Sequence, residues 1–127
     1  MNKELVEWIS KAEGDYLVAR REIRARGERN YDAVCFHCEQ AVEKYMKAYL
    51  LKKGVDFPKT HNLIELHELC LPLDGSFEIQ RDLLLELNQY GVRYRYPGVT
   101  AEKEDAKLAM AHAETVRAFL RAKLGLK

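Results

Sequence analysis

Only three prolines and seven glycines interrupt the 127 residues of this chain. So few breakers exclude a loop-rich or collagen-like architecture. Strand-like alternation of apolar and polar residues is missing, which removes the all-β classes. Three cysteines are an odd and small number, and they give no disulfide framework. No apolar run approaches the ~18 residues of a membrane span, and no leader-like segment is seen, so a soluble cytoplasmic protein is expected. Charge of one sign is also lacking. Lys and Arg number 21 against 20 for Asp and Glu, a formal net of +1, so the overall balance demands neither nucleic acid nor an anionic membrane. There is no internal repeat and no low-complexity tail.

What is present is helical pattern, and one stretch dominates it. Residues Tyr31 to Gly54 read YDAVCFHCEQAVEKYMKAYLLKKG. Val34, Cys38, Ala41, Tyr45 and Ala48 step by fours and threes along one face, with Cys35, Val42, Met46 and Tyr49 beside them. That apolar surface is wider than the roughly 100° stripe of an ordinary surface helix. A helix of this kind is covered on several sides, so it is expected to stand at the centre of a bundle. His37, Gln40, Lys44 and Lys47 gather on the remaining arc, with Glu43 next to it.

The rest of the chain supplies its neighbours. A first helix is expected from residue 2 to about residue 26, capped by Asn2, with Leu5, Trp8, Ala12, Tyr16 and Ala19 inward. Gly14 is read as a point of close helix approach. Arg20, Arg21, Arg24, Arg26 and Arg29 crowd its end, where the macrodipole favours cations; a phosphate-facing patch is the sharper reading. Gly27 and Gly54 suit helix ends, and Asn30 or Asp32 can cap the central helix. Thr60 or Asn62 caps a short third helix, Leu63 to Leu71. Ser76 starts a fourth, Phe77 to Val92, with Phe77, Leu84, Leu87 and Val92 as core candidates, and Thr100 a fifth, whose inward face includes Leu108 and His112. The length fits one domain, residues 1–127.

Three segments together carry a resemblance. They are FHCEQAVEKYMKA (Phe36 to Ala48), KTHNL (Lys59 to Leu63) and RYP (Arg95 to Pro97). In this order they closely resemble the HEPN domain over essentially the whole chain. The resemblance implies an all-α, up-and-down antiparallel four-helix bundle with one short additional helix, usually a homodimer. Prokaryotic members are often encoded beside a minimal nucleotidyltransferase and associate with it, and some are toxin–antitoxin components. One branch consists of metal-independent ribonucleases, marked by Arg, a polar residue and then His, with four to six residues between Arg and His. Here Arg29 and Asn30 precede His37 with seven residues between Arg and His, and His61, His67 and His112 have no Arg at the needed distance. The motif is not found.

The candidate site residues follow from chemistry. His37, Gln40, Lys44 and Lys47 form a polar stripe able to meet phosphate or a partner's carboxylate, or to lie solvated or at a dimer face. Arg93, Tyr94, Arg95 and Tyr96 make the densest basic–aromatic cluster: guanidinium grips phosphate in two-pronged fashion and tyrosine stacks on bases. The same residues also serve as bundle packing. His61, after Lys59 and Thr60, sits before a helix start, where a cap and a loop tether are the plainer roles. Cys35, His37 and Cys38 lack the second pair that a zinc site needs, and no metal or cofactor is expected. The intact family framework without the ribonuclease motif implies a dimeric binding module that associates with a minimal nucleotidyltransferase or binds nucleotide or RNA. The alternative is a metal-independent ribonuclease toxin.

Overall fold

The computed structural model describes residues 1–94 and 96–127. Helix α1 (Lys3–Ile23) starts where Asn2 Oδ1 accepts the Leu5 N–H at 2.7 Å. Leu5, Ala12, Tyr16 and Ala19 are its buried residues, spaced seven, four and three. It ends three residues short of the expected boundary. The Arg29 side chain donates to the Ala25 carbonyl at 2.6 Å, and Gly27 turns the chain with φ 80°. Gly14 is exposed with open space around it, so it marks no close approach; Ala12 and Ala19 are the small residues at the packed face.

Helix α2 (Tyr31–Lys52) follows at once, capped by Asn30, whose Oδ1 accepts the Ala33 N–H at 2.9 Å. Asp32, the other candidate cap, instead accepts the Ala101 N–H at 2.6 Å and ties the start of α2 to the start of the last helix. Fourteen of the 22 residues of α2 are buried, as a central position requires. It packs chiefly on α1 and on α6 (Lys103–Lys123), and also on α3 (Leu63–Cys70), α4 (Arg81–Asn88) and α5 (Tyr90–Arg93). The described residues hold helices and turns and no strand.

The expected fourth helix is divided. Asp74 caps a 3₁₀ turn, Gly75–Gln80, by accepting the Ser76 N–H at 3.0 Å, and α4 and α5 follow with a step at Gln89. The three-residue repeat of the 3₁₀ turn sends Phe77 and Gln80 inward together and leaves Ile79 76% exposed. The step at Gln89 shifts the helical phase, so Val92, expected in the core, is 60% exposed. Leu108 is also outside, because α6 buries Ala106, Ala109, Ala113, Val116 and Leu120. Helix α6 is capped by Glu102 rather than Thr100. Glu102 and Asp105 form a capping box, in which the Glu102 N–H reaches Asp105 Oδ2 at 2.8 Å.

A charged network binds α1, α2 and α6. Arg117 grips Glu13 with Nε and Nη2, each at 2.7 Å, Tyr45 donates to the same carboxylate, and Arg121 donates to the Tyr45 hydroxyl at 3.0 Å. The Arg117 guanidinium beside Glu13 holds that carboxyl below the usual range, more than burial raises it, and the Tyr45 bond lowers it further. A depressed carboxylate stabilises the fold above the ordinary value of 4.5, and this contribution is lost as pH falls through the lower folded value. Glu13 is 37% exposed on its side chain, which screens the effect. Between pH 5 and pH 3 the melting temperature of Glu13→Gln should therefore fall by about 2 °C less than that of the wild type, followed by circular dichroism.

Candidate functional site

The polar arc of α2 divides between two carboxylates. On the α1 side, Asp15 accepts from Lys44 Nζ at 2.5 Å and pairs with His37 Nδ1 at 2.8 Å. Farther along, Glu43 is 2% exposed and pairs with Lys47 Nζ and with His61 Nδ1, each at 3.0 Å. Gln40 Nε2 donates to Glu39 Oε2 at 2.9 Å and lies 3.4 Å from Glu43 Oε1. The structure thus brings His37 and Lys44 together at one acid, and Gln40, Lys47 and His61 at another. A phosphate arriving on this arc would have to displace an internal carboxylate.

Lys47 is buried because aromatic rings as well as Glu43 receive its ammonium. Its Nζ lies 5.6 Å from the Trp8 ring centre and 6.0 Å from that of Phe57, and the two rings meet edge-on. The His61 side chain is 75% exposed, yet its Nδ1 reaches the buried Glu43, so it tethers the 55–62 loop to α2. Nε2 is left facing outward, the edge on which an imidazole meets a ligand. Thr60 and His61 separate two clefts. One of about 310 Å³ includes Glu39, Asn62, Asn88, Gly91 and Val92; the other, of about 360 Å³, includes Trp8, Lys47, Phe57 and Pro58. Asn88 ties the rim of the first, accepting the Leu63 N–H at 2.7 Å.

The basic–aromatic cluster follows α5. Arg93 is exposed, with Nη1 3.3 Å from Gln89 Oε1 and its guanidinium 5.5 Å from the Tyr94 ring. Tyr94 stacks on Tyr90 at 5.9 Å, and burial pushes the Tyr90 phenol up to about 12. Tyr96 is 64% exposed. Arg95, the remaining member, lies outside the described residues. Cys35, Cys38 and Cys70 are all buried, which pushes their thiols up, Cys35 and Cys70 to about 12; they pack as small apolar groups.

Asp15, Glu39, Glu43 and Gly91 escaped the sequence reading as members of this site. Two acids four residues apart on an otherwise covered helix were the visible sign for Glu39 and Glu43. A Cβ on Gly91 would stand 3.1 Å from Glu39 Oε2, so glycine lets α5 close on that buried acid.

This geometry can be set beside known proteins. The family model described as the HEPN domain matches residues 5–123. This chain belongs to the HEPN family. The HEPN fold also appears in two similar solved structures. TT1696 from Thermus thermophilus is 24% identical, with a TM-score of 0.80 over 97% of this chain and 99% of that one. ST0689, an archaeal HEPN homologue, is 21% identical, with a TM-score of 0.66 over 96% of this chain and 98% of that one. At these identities the likeness extends to the fold. No curated protein matches the sequence. Among the described residues, no helix is long and apolar enough to cross a membrane.

Proposed function

We propose that this HEPN chain is a binding module that acts as a homodimer and docks a protein partner on α5 and the turn after it. The minimal nucleotidyltransferase implied by the family resemblance is the partner of choice. One observation carries this reading. Val92, Tyr96 and Val99 are 60%, 64% and 40% exposed within eight residues, beside exposed Arg93. Apolar, tyrosine and arginine groups clustered in this way are the usual composition of an interface centre. His37, Lys44 and Lys47 of α2, by contrast, are already matched by Asp15 and Glu43.

The test is calorimetric titration with a minimal nucleotidyltransferase from the same organism. Tyr96→Ala and Arg93→Ala should each weaken binding about tenfold or more, with melting temperature unchanged. Unchanged affinity in both would sink the reading. Sedimentation of the free protein checks the homodimer.

A second reading, phosphate binding by His61 with Arg93, draws on the outward His61 Nε2 at a cleft that Val92 also lines. ATP and single-stranded RNA in the same calorimeter test it, with His61→Ala as the variant. RNA cleavage in that mixture would favour a ribonuclease toxin.

A further inference from the structure

Residues Arg20 to Arg29 read RREIRARGER and hold five of the chain's ten arginines and none of its eleven lysines. Five arginines against Glu22 and Glu28 leave this decapeptide at +3, while the whole chain carries +1. We infer that the end of α1 and the turn after it form a second binding surface, one that takes the phosphodiester backbone of a nucleic acid.

The molecule treats its two groups of cations differently. The cations of the α2 stripe each meet a carboxylate at 3.0 Å or less. Arg21, Arg24 and Arg26 are exposed, and none of them has an ion-pair partner among the described residues. The nearby acids have other engagements or positions. Glu22 Oε2 accepts the Asn30 N–H, Asp32 accepts the Ala101 N–H, and Glu28 is exposed in the turn itself. The macrodipole accounts for Arg20 and Arg21 in the last turn of α1. It reaches Arg24, the C-cap, as well, and fades by Arg26, which lies in the turn beyond the cap.

The ligand class follows from the residue type. Arginine presents a rigid fork that matches phosphate, whereas lysine would serve as well for loose solvation. Arg21 lies in the last turn of α1, Arg24 is its C-cap and Arg26 is in the turn beyond, so the cations form a row along the chain rather than a point. A row fits a polymer of phosphates better than a single nucleotide. No exposed aromatic joins the row: Tyr16, beneath Arg20 at 5.8 Å, is 6% exposed. The surface therefore grips backbone and does not read bases.

Fluorescence anisotropy with labelled single strands of about 20 nucleotides, RNA and DNA of the same sequence, tests this over a salt series. Both should bind, within about threefold of each other. The variant Arg21→Gln/Arg24→Gln/Arg26→Gln should bind about tenfold or more weakly, and its slope of log K against log salt should be shallower by about 2. Lys3→Gln/Lys11→Gln/Lys53→Gln removes the same charge elsewhere and should change affinity less than about threefold. Melting temperatures check that both variants fold. Absence of binding by the wild type, or equal losses in the two variants, overturns the inference. So does capture of poly-glutamate, but not RNA or DNA, through the three arginines, which would assign the surface to an acidic protein. The residues differ from those at α5, so the two proposals fail separately.

Discussion

Replacing Glu43 by alanine should lower stability by about 3–5 kcal/mol, measured by urea unfolding. The carboxylate is 2% exposed, and Lys47, 6% exposed, would lose its buried ion-pair partner. The Trp8 and Phe57 rings would still face the Lys47 ammonium, which places the loss towards the lower end. A buried charge left alone is the costly state, not the absence of the pair. Glu43→Leu/Lys47→Met should accordingly come within about 1 kcal/mol of the wild type or exceed it. His61→Ala should cost under about 1 kcal/mol, since that ring is 75% exposed. If Glu43→Ala and the double variant lose the same amount, packing rather than charge explains the site.

Phe77→Ala should cost about 3–5 kcal/mol, with the urea dependence of the unfolding free energy unchanged. Phe77 is 1% exposed and sits where four elements converge. Its ring centre lies 4.9 Å from that of Tyr49 on α2 and 5.0 Å, at 90°, from that of Phe119 on α6. Its carbonyl accepts from His67 Nε2 of α3 at 2.8 Å. Phe77→Leu refills much of the space and should lose less than half as much. An alanine variant that loses under about 1 kcal/mol would mean that the aromatic cluster re-forms without it.

These two residues mark what a sequence discloses and what it withholds. Phe77 was legible as core, and so were the cap at Asn2, the turns at Gly27 and Gly54 and the thorough burial of α2. Each of these depends on neighbours in sequence or on helical period. The division of the fourth helix was not legible. Asp74 captures the Ser76 N–H in a local bond that competes with helix, and this outweighs the Ser76 start. The polar arc was legible as an arc, but not as two separate ion pairs. Asp15 belongs to another helix, and the pairing of His61 with Glu43 depends on how the 55–62 loop returns. Contacts of this kind are fixed by tertiary packing, which periodicity does not encode.

The burial of α2 on every side has a consequence for how the molecule comes apart. Every other helix leans on it, so peeling any one of them away bares part of the same apolar rod to water. Partial opening at α1 or α6 therefore carries much of the burial cost of complete unfolding. The bundle is held in the manner of staves around a spindle: damage at one seam is shared by the whole, and the protein melts as one cooperative unit rather than fraying from a corner.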